Sequence, residues 1–69
     1  MDENITKEDI DRVYAYLVRH FEKGEQIETV EIMVGIGMTK EKIGEIAKIL
    51  REKGKISYWF PPKDGCIEF

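Results

Sequence analysis

The spacing of apolar residues changes after Gly54, and this change constrains the fold more than any other feature of the sequence. Before Gly54, apolar side chains recur about every three or four residues, which is the period of an amphipathic helix. From Ile56 onward the pattern has a period of two, with Ile56, Tyr58 and Phe60 on one face and Ser57 and Trp59 on the other, as in a β-strand. The sequence therefore predicts an α+β chain in which helices come first and a β-hairpin follows.

The first predicted helix has a strong start signal at Thr6. The Thr6 hydroxyl can cap the first free backbone amides, and Asp9 stands at the third helical position, as in a capping box. Ile5 and Ile10 have the spacing of a hydrophobic staple. The helix is predicted to end near His20 or Lys23, because Gly24 supplies a stop. Its buried stripe is Ile10, Val13, Tyr14, Leu17 and Phe21.

A short strand and a brief second helix are predicted next. Gln26 and Ile27 form the strand, and either Glu28 or Thr29 caps the helix. Gly35 and Gly37 are expected to break this helix, which is predicted to be mostly buried. Its apolar residues are Val30, Ile32, Met33 and Val34.

The third predicted helix starts like the first, with a threonine cap and a hydrophobic staple. Thr39 caps it, Met38 staples onto Ile43, and Gly54 ends it. Its buried stripe is Ile43, Ile46, Ala47 and Leu50.

A hairpin is predicted to close the domain. Its first strand should turn Tyr58 and Phe60 inward and Trp59 outward. Residues 61–65 make the turn, and residues 66–69 return with Ile67 and Phe69 on one face. Two helices joined by a glycine-bearing turn form a helix-turn-helix, and the following hairpin adds a wing. We therefore predict a single winged-helix domain spanning residues 1–69, with a short strand after the first helix.

Two families resemble this chain. Residues 27–69 resemble the C-terminal winged helix of archaeal minichromosome-maintenance helicases through the segments TKEKIGEIAKILREKGKI and PKDGCIEF, although SYWFP lengthens the wing here. The chain also resembles the dissimilatory sulfite reductase D protein in its length. The matching features are Met38, the spacing of Ile43, Ile46 and Leu50, and the position of Tyr58 and Trp59 after that helix. The first resemblance implies a DNA-associated role in replication or transcription regulation, and the second implies a non-catalytic regulatory partner.

The composition argues against catalysis, metal binding and membrane insertion. A chain of 69 residues has little volume to spare for a substrate pocket. Cys66 and His20 are single residues of their kind, so no disulfide, zinc site or other cofactor is expected. No apolar run is long enough to span a bilayer, and no signal peptide is recognisable. We expect a cytoplasmic, non-enzymatic binding protein.

The charge distribution suggests DNA as the first candidate partner. The chain has a net charge of −3, but residues 38–69 carry seven basic and five acidic side chains. Cations on a recognition helix and wing can neutralise phosphates or reach base edges. The opposing explanation is an ordinary solvated helix surface whose charged residues form local ion pairs. The candidate contacts with double-stranded DNA are Thr39, Lys40, Lys42, Gly44, Lys48, Arg51 and Lys63.

Two observations leave a protein partner open as the alternative. Placed on a helical wheel, the outermost face of the third helix carries Glu41, Glu45 and Glu52, which would repel phosphates. An outward Trp beside proline is typical of protein interfaces, so Trp59, Pro61 and Pro62 are candidate contacts. The opposing explanation for Trp59 is that it shields the flank of a small domain. Val18, Tyr16 and Ile49 fall outside the main apolar stripes and leave a homodimer open.

Overall fold

The computed structural model describes residues 5–59 and 65–69, with only the backbone described at Trp59. It is an α+β domain of three helices and an antiparallel sheet. In chain order the elements are α1 (Lys7–His20), β1 (Gln26–Glu28), α2 (Thr29–Ile32), a π-helical turn (Met33–Gly37), α3 (Lys40–Glu52), β2 (Tyr58–Trp59) and β3 (Cys66–Glu68). The predicted helices, their order and the strand after α1 are confirmed.

The start of α1 has the predicted capping box. The Asp9 amide donates to the Thr6 hydroxyl at 3.1 Å, and the Thr6 amide donates to the Asp9 carboxylate at 3.3 Å. Two otherwise unpaired backbone donors are thereby satisfied. The helix ends at His20, where the Phe21 amide still donates to the Leu17 carbonyl at 2.9 Å.

The second helix differs from its prediction in both shape and burial. The helix α2 covers only four residues, and the chain then continues as a π turn through Gly35 instead of breaking there. It leaves the turn at Gly37, whose φ of 84° is the left-handed conformation that glycine adopts without strain. Val30 and Val34 are exposed at 55% and 84%, so the prediction of a mostly buried helix is wrong.

The caps of this segment also differ from the prediction. Glu28 occupies the N-cap position without a side-chain hydrogen bond, whereas Thr29 is buried inside the helix. The Thr29 amide donates instead to the Gly65 carbonyl at 2.7 Å, which ties the start of α2 to the residue before β3. A tertiary backbone contact therefore replaces the predicted local cap.

Both ends of α3 follow the prediction. The Thr39 hydroxyl accepts from the Lys42 amide at 3.2 Å. At the other end Gly54, with φ of 75°, allows a Schellman motif. The Lys55 amide donates to the Leu50 carbonyl at 2.8 Å, and the Gly54 amide donates to the Arg51 carbonyl at 3.0 Å.

The sheet has the order β1-β3-β2, with β3 in the middle. Ile27 lies opposite Ile67 in the three-residue pairing of β1 with β3, and Tyr58 lies opposite Glu68 in the two-residue pairing of β2 with β3. The residues that would form the tip of the predicted wing, including Phe60, lie outside the described residues. The structure accordingly shows the antiparallel sheet but not the hairpin wing.

Tyr58 is a correction to the predicted strand pattern. It is 41% exposed, although the alternation placed it in the core with Ile56. The strand β2 is only two residues long, and bends precede it, so the alternation of faces does not extend back to Ile56. Ile67 and Phe69 are buried as predicted.

The core lies where α1, α3 and the sheet meet, and both predicted helical stripes contribute to it. Val13 and Leu17 of α1 are fully buried, as are the predicted stripe residues of α3. Truncating Leu17 to Ala in a domain of this size is expected to cost about 2–5 kcal/mol. The remaining buried apolar residues are Ile27, Ile32, Met38, Ile56, Ile67 and Phe69.

Candidate macromolecule-binding surface on helix α3

The exposed side of α3 divides into two rows of opposite charge. The buried stripe of this helix fixes the orientation of its other residues, because successive side chains are about 100° apart. Four of the predicted DNA contacts fall within an arc of about 80° on one side. We call this row the basic flank, and it consists of Lys40, Gly44, Lys48 and Arg51.

The three cations of the basic flank are exposed, and Gly44 is partly buried. Because Gly44 lacks a side chain, a partner could approach the helix backbone closely between Lys40 and Lys48. Thr39, which precedes the flank, is exposed but already accepts the capping bond from Lys42. No acidic residue interrupts this row.

Lys42 lies on the opposite side of α3 from the basic flank, and it faces α1. Its ammonium group forms an ion pair with the Asp9 carboxylate at 3.0 Å, and both side chains are largely covered. Breaking this pair would leave two partly desolvated charges without their partners. Lys42 is thus engaged with Asp9, apart from the basic flank, and its contact with DNA stays a prediction.

The ion pair joins the capped starts of two helices. The Asp9 carboxylate accepts from the Thr6 amide and from Lys42, whose own amide donates to the Thr39 cap. The pKa of Asp9 is below its ordinary value of 3.8, chiefly because Lys42 donates a hydrogen bond to the carboxylate and secondly because the Thr6 amide does. The charged form of Asp9 thus stabilises the contact between α1 and α3.

Arg51 connects the basic flank to the sheet. Its guanidinium carbon lies 5.1 Å from the centroid of the Tyr58 ring, in a cation–π arrangement. The flank therefore lies beside β2. Sequence reasoning missed this contact because it placed Tyr58 in the core.

The second row is acidic and occupies the outermost part of α3. We call it the acidic ridge, and it consists of Glu41, Glu45 and Glu52, all exposed. Lys48 lies at the border between the ridge and the basic flank. Any polyanion bound to the flank would approach α3 from the side of the sheet, because the ridge repels it from the front.

The remaining predicted contacts cannot be placed on this surface. Pro61, Pro62 and Lys63 lie outside the described residues, as does the side chain of Trp59. The predictions that Lys63 touches DNA and that Trp59 is an outward anchor stay predictions. Val18 is exposed at 55%, whereas Tyr16 and Ile49 are partly buried.

A groove between α1 and the π turn was not anticipated from the sequence. It has a volume of about 260 Å³ and is lined by Arg12, Ala15, Tyr16, Arg19, His20, Gly35 and Ile36. The signal in the sequence was the spacing of Arg12 and Arg19, seven residues apart on one helix face. The π turn that forms the other wall has no comparable local signature.

Comparisons of the chain with protein-family models, with curated proteins and with solved structures find no match. Across residues 5–59 and 65–69, no helix is long and apolar enough to cross a membrane. The same part of the chain holds no group of three His, Cys, Asp or Glu side chains that could ligate a metal ion. Functional inference therefore depends on the surfaces described above.

Proposed function

We propose that this chain is a winged-helix module that binds a macromolecule without catalysing a reaction, and that its partner is double-stranded DNA. The observation that carries the proposal is the basic flank of α3. Lys40, Lys48 and Arg51 are exposed in one uninterrupted row beside the sheet, on the helix that follows the turn of the helix-turn-helix. This helix is the one that enters the major groove in proteins of this fold class.

The orientation of the helix relative to DNA follows from the two rows of charge. Phosphates contact the basic flank and the connection between β2 and β3, where Lys63 adds a further cation, while the acidic ridge faces away from the backbone. Gly44 permits the close approach that such an edge-on placement requires. With three or four phosphate contacts, binding is modest, in the non-specific range of roughly 10⁻⁴–10⁻⁶ M at physiological salt.

A salt titration with a random-sequence duplex tests the proposal. The logarithm of the binding constant should fall linearly with the logarithm of salt concentration, with a slope of about −3. Lys40→Glu and Lys48→Glu should each weaken binding and reduce the slope by about one. Lys7→Glu is the matched control, since this exposed lysine of α1 undergoes the same charge change far from the flank. Absence of binding at low salt, or equal loss in the control, contradicts DNA binding by the flank.

A protein partner is the second candidate, and two specific observations favour it. The acidic ridge covers the outermost part of α3, and Tyr58 is exposed beside the segment that contains Trp59. Aromatic residues are enriched at protein interfaces, where a few of them often carry much of the binding energy. The resemblance to the reductase D protein supports the same candidate.

Removing charge from the acidic ridge distinguishes the two candidates. The variant Glu41→Gln/Glu45→Gln should bind duplex DNA more tightly, because it relieves repulsion of phosphates. A basic protein partner would bind the same variant less tightly. The counterpart variant Lys40→Gln/Lys48→Gln should bind duplex DNA less tightly, and a basic protein partner should bind it more tightly. Both double variants change side chains that are exposed on one helix, so their folded states should be equally preserved.

A further inference from the structure

The groove between α1 and the π turn concentrates positive charge in a half of the chain that is otherwise acidic. Residues 1–37 carry four basic and nine acidic side chains, yet two of these four cations, Arg12 and Arg19, line the groove. His20 lies next to them at the end of the helix. The groove is therefore a local positive site and not a continuation of the surrounding surface.

The arginines of the groove are not neutralised within the described part of the chain. One NH₂ group of Arg12 donates to the Ile36 carbonyl at 3.2 Å, and this bond holds the side chain against the π turn. The other N–H groups of the guanidinium remain able to donate to a ligand. Arg19 has no carboxylate partner among residues 5–59 and 65–69, where the ion pair is that of Asp9 with Lys42. Two arginines without a carboxylate partner among the described residues thus line one groove.

The wall between the arginines is built from Tyr16 and Gly35. A Cβ atom at Gly35 would overlap the ring and hydroxyl of Tyr16, so only glycine lets the ring lie against the π turn. The Tyr16 ring also contacts His20, with the two ring centroids 4.5 Å apart. The tyrosine is held before any ligand arrives, and a pre-formed wall reduces the entropy that binding costs.

The size and lining of the groove limit what can occupy it. A volume of about 260 Å³ is below the range of roughly 300–1,000 Å³ that is usual for drug-sized ligands. Arginine pairs prefer phosphate and carboxylate oxygens, to which they donate two parallel hydrogen bonds. Ala15, Tyr16 and Ile36 supply apolar surface for a short carbon skeleton.

We propose that this groove binds a small phosphate monoester, with Arg12 and Arg19 holding the phosphate and Tyr16 and Ile36 contacting its carbon portion. The two positive charges match the dianion of a monoester better than the single charge of a phosphodiester. The site lies on α1 and the π turn, away from the basic flank of α3. It does not depend on the proposed DNA function.

A nuclear magnetic resonance titration of the ¹⁵N-labelled protein with glycerol 3-phosphate tests the proposal. Saturable shifts are expected at the amides of Arg12, Tyr16, Arg19 and Gly35, with glycerol and dimethyl phosphate as ligand controls. Arg19→Gln and Arg12→Gln should each weaken binding by roughly tenfold or more, the loss expected for one charge-assisted contact. Lys7→Gln is the control, because this exposed lysine belongs neither to the groove lining nor to the basic flank, and it should leave the affinity unchanged.

Arg19→Gln is the more informative of the two variants, because the Arg19 side chain makes no hydrogen bond within the described residues that its loss could disturb. Several results would overturn the proposal. These are the absence of saturable shifts, equal shifts with dimethyl phosphate, equal weakening in Lys7→Gln, and shifts in the groove with a DNA duplex but not with glycerol 3-phosphate. The last result would assign the groove to a nucleic-acid backbone. A failure of duplex binding leaves this titration unaffected, so the two proposals fail separately.

Discussion

Helices α1 and α3 are built alike and present their cations differently. Each begins at a threonine cap and buries one apolar stripe in the shared core. On α1, Arg12 and Arg19 line a concave groove against the π turn, whereas on α3 Lys40 and Lys48 lie along a convex, exposed flank. The concave groove on α1 can contact a small ligand from several sides, whereas the convex flank on α3 can contact an extended partner along its length. The difference arises from what packs beside each helix and not from the helices themselves.

Among changes that distinguish the two helices, Gly35→Ala is expected to cause the largest loss of stability. The new methyl group must displace Tyr16 from the π turn, and strain of this kind costs about 1–3 kcal/mol. Urea unfolding measures the loss of stability. The same variant should also lose its response to glycerol 3-phosphate, while binding to a duplex stays unchanged.

A double-mutant cycle with Tyr16→Ala isolates the cause of that loss. The three atoms nearest to the new methyl group all belong to Tyr16, so Gly35→Ala should cost much less once the ring is removed. Additive losses in the double variant would show that the backbone of the π turn, and not Tyr16, is responsible.

Removing the caps should affect the two helices to a similar degree. Thr6→Ala and Thr39→Ala are each expected to destabilise the domain by about 1 kcal/mol, because each leaves a helix amide unpaired. Thr6→Ser and Thr39→Ser are the controls, since serine retains the hydroxyl. A much larger loss for one cap would mean that its helix start depends on more than the threonine hydroxyl.

The smallest change in stability is expected from loss of the Asp9–Lys42 ion pair, which joins α1 to α3. The folded state lowers the pKa of Asp9, so the charged carboxylate contributes stability above pH 3.8 that is lost as the pH falls through its folded pKa. Thermal unfolding followed from neutral pH to below 3.8 should therefore show a drop in Tm. Asp9→Asn should reduce the part of this drop that arises from Asp9, and an unchanged pH profile would contradict the assigned role.

Elements whose signals are local could be predicted from the sequence. The caps at Thr6 and Thr39 and the Gly54 stop depend on residues within one turn of each other, and the structure has all three. The buried stripes follow from helical period alone. The α3 stripe is fully buried, whereas in the α1 stripe Ile10, Tyr14 and Phe21 are partly buried, as residues at the edge of an amphipathic face often are.

Features that depend on contacts distant in sequence were not predictable in this way. The π turn persists through Gly35 where Tyr16 of α1 packs against it, and Lys42 turns toward α1 to meet Asp9. Tyr58 is exposed because β2 is short and lies at the edge of the sheet. In the first two cases a contact with an element elsewhere in the chain overrides the local pattern, and in the third the strand is too short to keep its alternation.

The measurement that tests the central claim most directly is a nuclear magnetic resonance footprint of a random DNA duplex on the ¹⁵N-labelled protein at low salt. We expect the amides of Lys40, Gly44, Lys48 and Arg51 to shift, and those of Arg12, Arg19 and Gly35 to stay in place. Shifts centred on the groove of α1, or no shifts at any duplex concentration, would contradict DNA binding by the basic flank.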